Sequence, residues 1–143
     1  MKTLYEATTV AKGGRSGQVK SEDGPLDFNL SVPKSMGGDG GNGANPEQFF
    51  GAAYAACFGG AIQAVIENKK LKDIDTDKIS VSATIGFCKD DDGFFLEATL
   101  DSFIPNVDIE TGEELINAAH EVCPFSKATR DNITVTLNLL VDE

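Results

Sequence analysis

Three cysteines, Cys57, Cys88 and Cys123, are the side chains of this sequence best suited to nucleophilic or redox chemistry. Cys57 stands among small and apolar residues at positions 55–58, a setting typical of an inert core thiol. Because no basic residue adjoins it, a reactive Cys57 requires a cation brought from elsewhere in the fold. An odd number of cysteines without C-x-x-C spacing argues against a disulfide framework and against a zinc finger.

Few residues can supply that cation, because the chain has only two arginines, Arg15 and Arg130. Arg15 lies in the glycine-rich stretch 13–17, where a tight turn can direct the guanidinium inward. A buried guanidinium requires a carboxylate partner, and Glu47 is the candidate. The alternative is a solvated arginine in a turn and an ordinary glutamate in the first turn of a helix.

The single histidine, His120, precedes Cys123 by three positions, so the two share a face of a helix. This spacing permits the thiol and imidazole dyad of a cysteine hydrolase or thiol transferase, or a histidine that only complements the end of a helix dipole. One histidine and three scattered cysteines do not form a tetrahedral metal set, so we expect no metal site. Cys88 adjoins a run of aspartates, which disfavours its thiolate.

Length and composition indicate an ordinary globular protein, with 143 residues, 41% of them apolar and 24% charged. We predict a single domain over residues 1–143. The formal charge of −11 repels phosphate backbones and anionic lipid surfaces, so nucleic acid and membranes are not expected partners. The first residues contain no apolar segment behind their lysine, which predicts a cytoplasmic protein whose cysteines are thiols.

The apolar segment 49–66 reaches the length of a membrane span, but it is rich in glycine and alanine. We interpret it as part of a buried helix whose small face lets another backbone approach closely. Asn45 and Pro46 predict the start of that helix, as N-cap and first helical residue, and it should run to about Lys70.

The other elements follow from period-two patterns and turn residues. We predict short strands in the first thirty-odd residues, a strand at 26–32, a glycine-rich connector at 37–43, a hairpin over 79–103, a helix from Thr111 to His120 ended by Pro124, and a strand at 133–141. The connector lacks the Lys-Ser/Thr ending of a phosphate loop. This order predicts an α+β fold and not a repeating βαβ array.

Three stretches together resemble a known family: GGRSG at 13–17, NPEQFFGAAYAACFGGA at 45–61 and AAHEVCPFSKATRDNI at 118–133. They are similar to the organic hydroperoxide resistance proteins, the Ohr branch of the OsmC/Ohr superfamily, and the similarity covers nearly the whole chain. The resemblance implies antiparallel sheets around a long central helix, in an intertwined homodimer with active sites at the interface. Asp131, where the family pattern has glycine, and Cys88 are small departures.

The resemblance also implies roles for individual residues. Cys57 would be the peroxidatic thiol and Cys123 the resolving thiol, while Arg15 and Glu47 would activate Cys57 and orient the peroxide. The products would be an alcohol and an intramolecular disulfide, reduced again by a lipoyl dithiol, with no bound cofactor. An apolar pocket formed by residues such as Phe49, Phe50, Phe58 and Phe125 would favour alkyl and fatty-acid hydroperoxides.

Helix geometry tests this assignment, because Glu47 and Cys57 are ten positions apart. On a continuous helix that separation is about 15 Å and the two side chains do not share a face. Either the helix is broken between them or the site is assembled from two chains, with two sites in a dimer. Two other functions stay open: an OsmC-type peroxidase with different substrate preference, and a non-enzymatic redox sensor or binding protein of the same fold.

Overall fold

A computed structural model describes all 143 residues, and its backbone forms two compact units, residues 1–49 and 50–143. The first unit contains a three-stranded antiparallel sheet of order β1-β2-β3, with β1 at Thr9–Lys12, β2 at Gln18–Ser21 and β3 at Asp27–Asn29. The turn between β1 and β2 contains one 3-10 turn, Gly14–Ser16. Short strands joined by glycine-rich turns are therefore confirmed, whereas the predicted single domain stays a prediction.

The strand predicted at 26–32 is shorter and more exposed than its alternation suggests. Only Asp27–Asn29 pairs with β2, and 46% of Phe28 is exposed. Leu30 is buried and leaves the sheet to form an isolated parallel bridge with Ala44. The glycine-rich connector thus folds back along the residues after β3, and a Cβ at Gly43 would lie 2.5 Å from the backbone of Leu30.

Helix α1 spans Pro46–Asn68 without interruption. Asn45 caps it as predicted: its Oδ1 accepts from the Gln48 N–H at 2.9 Å, and Gln48 Oε1 accepts from the Asn45 N–H at 3.2 Å. The helix ends before the predicted Lys70, which has a φ of +55°. Its continuity rules out a break between Glu47 and Cys57.

Helix α1 is buried on one face only, through residues at helical spacing: Gly51, Tyr54, Phe58, Ala61, Ile62, Val65 and Ile66. The opposite face exposes alanine and glycine, so the predicted burial holds for half of the helix. By length and mean hydropathy the helix also meets the criterion for a membrane span, with 39% of its apolar window buried.

The second unit contains a mixed sheet of order β4-β5-β6, formed by Ser80–Asp90, Gly93–Phe103 and Val135–Leu140. The hairpin β4-β5 is antiparallel and turns at Asp91 and Asp92, close to the prediction. β6 pairs with β5 in parallel, so this sheet is not wholly antiparallel. A parallel neighbour needs a crossover connection, and two helices supply it.

The crossover consists of helix α2, Ile109–Val122, and helix α3, Pro124–Thr129. The predicted start of helix α2 at Thr111 is wrong, because Asp108 is the N-cap and its Oδ1 accepts the Thr111 N–H at 2.7 Å. Pro124 ends α2 as predicted but also opens α3, which the sequence analysis missed. Residues of α1, α2 and β5 share the core of this unit. The whole is an α+β fold, as predicted.

Candidate active site

Cys57 and Cys123 meet in the second unit, although 66 positions separate them in the chain. The Cys123 thiol donates to the Cys57 sulfur, with 3.5 Å between the two Sγ atoms. Cys57 lies at the middle of α1 and is partly exposed, whereas Cys123 is fully buried. Both are free thiols in this structure, and their contact brings together the two cysteines predicted to react.

Pro124 determines where Cys123 lies. A residue that precedes proline avoids the helical conformation, and Cys123 has φ −67° and ψ 124°. Cys123 is therefore both the C-cap of α2, through its N–H to the Ala119 carbonyl at 2.8 Å, and the N-cap of α3, through its carbonyl to Lys127 at 3.0 Å. The buried thiol therefore lies at the corner between two helices.

The surroundings of Cys57 within its own unit do not activate it. Burial raises the pKa of the Cys57 thiol above its ordinary value, and the neighbouring Cys123 thiol raises it further. The backbone N–H of Phe125 acts in the opposite direction by hydrogen bonding to the Cys57 sulfur. A thiolate at Cys57 therefore requires positive charge beyond these contacts, as its sequence neighbours already suggested.

Arg15 and Glu47 form the predicted ion pair in the first unit. Arg15 Nη1 and Nη2 donate to the two carboxylate oxygens of Glu47 at 3.0 and 2.8 Å, a bidentate arrangement. The side chain of Glu47 is 14% exposed and that of Arg15 is 40% exposed. The hydrogen bond from Arg15 lowers the pKa of Glu47, and the same bond raises the pKa of Arg15. The carboxylate therefore fixes the orientation of the guanidinium.

The four predicted site residues thus form two pairs, Arg15 with Glu47 and Cys57 with Cys123, in different units. Glu47 lies in the first turn of α1 and Cys57 ten positions later on the same unbroken helix. Of the two alternatives left by helix geometry, a break in the helix is excluded.

The structure does not form the dyad of His120 with Cys123 that their spacing permits, and Cys88 is not part of the Cys57–Cys123 pair. His120 Nδ1 hydrogen-bonds Ser126 Oγ at 2.8 Å, while the Cys123 thiol is paired with Cys57. Burial and the nearby charge of Arg130 lower the pKa of His120. Cys88 lies on β4, and its burial and the Glu97 carboxylate raise the pKa of its thiol.

Three further residues near the cysteines were missed by the sequence analysis. Tyr54 OH is 2.9 Å from Ser126 Oγ and 3.1 Å from Thr129 Oγ1, and all three residues are buried. Tyr54 precedes Cys57 by three positions and Ser126 follows Cys123 by three, so helical spacing from each cysteine was the available signal.

The aromatic side chains divide between core and periphery. Phe58 is fully buried in the core, which removes it from the predicted substrate-facing wall. Phe50 and Phe125 are partly exposed and pack edge-on or tilted against Tyr54, at ring distances of 6.0 and 5.9 Å. Phe49 packs on Phe28 in the first unit. No group of three or more His, Cys, Asp or Glu side chains is arranged to hold a metal ion.

Comparison with known proteins identifies the family of this chain. Residues 38–138 match the model of the OsmC-like proteins. The chain is 45% identical over 138 residues to the organic hydroperoxide resistance protein of Xanthomonas axonopodis pv. citri, covering 96% of each. The chain belongs to the OsmC-like family, in its organic hydroperoxide resistance branch. The resemblance carried by the three motifs is thereby confirmed.

Solved structures of this OsmC-like branch share the fold. The crystal structure of OhrB from Bacillus subtilis superposes with a TM-score of 0.86 at 42% identity, over 96% of this chain and 100% of that one. An organic hydroperoxide resistance protein from Legionella pneumophila gives a TM-score of 0.90 at 38% identity, over 98% and 100% of the two chains. The OsmC/Ohr fold predicted from the sequence is therefore confirmed.

Proposed function

We propose that this protein is a thiol peroxidase that reduces organic hydroperoxides to alcohols. Its relatives are named for organic hydroperoxide resistance, and a peroxidase-type activity accounts for such resistance. The observation that carries the proposal is the 3.5 Å contact between Cys57 Sγ and Cys123 Sγ. A disulfide needs the two sulfurs at about 2.05 Å, so a small movement is enough to join them.

Exposure distinguishes the roles of the two thiols. Cys57 is partly exposed and can meet a peroxide, whereas Cys123 is fully buried and can meet only Cys57. The Cys57 thiolate attacks one peroxide oxygen, the O–O bond breaks and the alcohol leaves, so that Cys57 becomes a sulfenic acid. Cys123 then displaces water from that sulfenic acid and forms the disulfide.

Activation of Cys57 is assigned to Arg15, held in orientation by Glu47. Burial opposes a Cys57 thiolate, and Arg15 is the cation whose fixed fork can stabilise both the thiolate and the alkoxide that leaves. Because α1 is unbroken between Glu47 and Cys57, we propose a homodimer with two sites, each built from both chains. The exposed alanine and glycine face of α1 suits close packing with a second copy.

A lipoyl dithiol, free or carried on a protein, is proposed as the reductant, and alkyl or fatty-acid hydroperoxides as substrates. A dithiol returns both cysteines to thiols by two exchange steps and leaves as its own cyclic disulfide. Turnover with dihydrolipoamide, compared with glutathione and thioredoxin, tests the reductant. Rates on an alkyl hydroperoxide and on hydrogen peroxide test the substrate class.

The decisive experiment is the intact mass of the reduced protein after one equivalent of an organic hydroperoxide. The wild type should lose two hydrogens, and Cys123→Ser should instead gain one oxygen. An unchanged mass in both would show that Cys57 is an inert core thiol. Oxidation once, without repeated turnover on any dithiol, would indicate a redox sensor of the same fold.

A further inference from the structure

A chain of buried hydroxyl groups joins the helices that carry the two cysteines. It runs from His120 on α2 through Ser126 to Tyr54 on α1 and on to Thr129, with distances of 2.8, 2.9 and 3.1 Å. Tyr54 and Ser126 are fully buried and Thr129 is 5% exposed. Water therefore does not compete for the hydrogen bonds of these three hydroxyl groups, which must find their partners within the protein.

Donor counting fixes the direction of every bond in this chain. Thr129 Oγ1 lies 3.1 Å from the Ser126 carbonyl oxygen, which can only accept. Thr129 therefore donates its one hydroxyl hydrogen to that carbonyl. Tyr54 must then donate to Thr129, and Ser126 must donate to Tyr54. The remaining bond requires a hydrogen on His120 Nδ1, donated to Ser126 Oγ.

The chain lies one helical turn from the sulfur pair on both sides. Tyr54 is three positions before Cys57, and Ser126 and His120 are three positions after and before Cys123. Cys123 itself stands at the corner between α2 and α3, and α3 has only six residues. So short a helix does not hold its place without tertiary contacts, and the bonds to Tyr54 supply them.

We infer that Tyr54 and Ser126 are positioning residues for disulfide formation, because their hydroxyl groups hold the Cys123 corner against α1. The inference rests on the proposed function. In this step the Cys123 sulfur attacks the sulfenic sulfur of Cys57, the S–S bond forms, the S–O bond breaks, and the hydroxyl leaves as water with the Cys123 proton. The first step needs the Cys57 thiolate and the proposed cation Arg15 but not the Cys123 sulfur. The corner contributes to it only through the Phe125 N–H, so that step depends less on where the corner lies.

The test is a single turnover with Tyr54→Phe and Ser126→Ala. Tyr54→Phe keeps the ring that packs on Phe50, Phe58 and Phe125 and removes only the oxygen. The reduced protein is mixed with one equivalent of tert-butyl hydroperoxide. Samples are quenched at increasing times with dimedone, which traps sulfenic acid, and their intact masses are measured. Sulfenic acid should form within about twofold of the wild-type rate, while disulfide formation slows on the order of ten- to a hundredfold.

Ser102→Ala is the matched control, because Ser102 Oγ on β5 is buried in the same unit without a hydrogen-bond partner. Both steps should keep their wild-type rates in that variant. His120→Asn supplies an amide N–H where Nδ1 stood and should restore much of the rate that His120→Ala loses. A purely structural loss would not be rescued in this way.

Disulfide formation at the wild-type rate in both variants would overturn the inference, as would an equal slowing of the two steps. Diamide separates this result from failure of the proposed function, because it takes the two thiol hydrogens directly and needs no sulfenic acid. Under diamide the variants should still form the Cys57–Cys123 disulfide more slowly than wild type, whether or not the protein reduces peroxides. Equal rates under diamide would refute the positioning role independently.

Discussion

A side chain that replaces Arg15 can keep the bidentate contact with Glu47 only if it carries both a positive charge and two N–H donors. Arg15→Ala removes the cation proposed to stabilise the Cys57 thiolate, while Arg15→Lys keeps a charge but not the fork. We expect peroxide reduction at neutral pH to fall on the order of a hundredfold or more in the alanine variant, and less in the lysine variant.

The measurement is the pH dependence of Cys57 alkylation, which reports its thiolate. The pKa of Cys57 should rise in Arg15→Ala and stay near the wild-type value in Lys12→Ala, which removes a charge from the neighbouring strand β1. An unchanged alkylation profile in Arg15→Ala would contradict the proposed activation.

His120 gives a second prediction at this scale, about stability. Burial and Arg130 lower its pKa in the folded protein below the ordinary 6.5, although Glu121 acts the other way. Unfolded chains therefore bind more protons than folded ones below about pH 6.5, and the free energy of unfolding should fall as the pH drops through that range.

Denaturant titrations of wild type and His120→Asn between pH 7.5 and 5 would measure this loss. The variant should lack the part of the slope that belongs to His120. The pKa of Glu47 is also lowered, but its contribution to stability is lost only as the pH falls below its ordinary pKa of 4.5. That range lies outside the pH 7.5 to 5 titration. Parallel curves for the two proteins would show that His120 keeps an ordinary pKa.

At the scale of elements, the turn that carries Arg15 depends on Gly17. A Cβ there would lie 1.7 Å from the carbonyl oxygen of Lys12, which is backbone and cannot yield. Gly17→Ala should lower the free energy of unfolding by about 2–3 kcal/mol or more and reduce peroxide turnover with it.

Gly14→Ala is the matched control in the same turn. Its φ is +59° but nothing lies within 4 Å of the added Cβ, so it should cost only about 1 kcal/mol. Equal stability of the two variants would mean that the β1–β2 turn tolerates displacement.

Some elements could be predicted from the sequence and others could not, for physical reasons. Asn45 and Pro46 are a local capping signal, and the start of α1 followed from them. The start of α2 was misplaced because Asp108 and Thr111 are both good caps, and only the fold selects between them. The parallel pairing of β6 with β5 could not be predicted, because period-two alternation of side chains looks the same in parallel and antiparallel strands.

The candidate site shows the same division. Family motifs located Arg15, Glu47, Cys57 and Cys123, and the structure forms two contacts among them. The buried hydroxyl groups one helical turn from the cysteines were missed, because Tyr54 stands in a glycine- and alanine-rich helix and Ser126 lies two positions after a proline. Their meeting depends on how α3 packs on α1, which helical spacing alone does not determine.

At the scale of the whole molecule, the proposed dimer predicts complementation between two inactive chains. A heterodimer of Arg15→Ala with Cys57→Ser contains one site with Cys57 from the first chain and Arg15 from the second. If each site draws on both chains, the purified heterodimer should have about half the activity of the wild-type dimer, although each parent homodimer is inactive.

The two variants are unfolded, mixed and refolded together. The heterodimer is then separated by a tag on one chain. An inactive heterodimer would show that Arg15 and Cys57 act within a single chain. The wild-type protein carried through the same refolding is the control for recovery.

The separation of 66 positions between the two sulfurs also has a consequence for the stability of the proposed disulfide. Closing a loop of that length removes entropy from the unfolded chain and stabilises the folded, oxidised protein by about 4 kcal/mol. By the thermodynamic cycle, the folded protein then holds its disulfide at a reduction potential roughly 85 mV lower than the unfolded chain does. The oxidised protein should therefore resist denaturant better than the reduced one, and its disulfide should become easier to reduce when the chain unfolds.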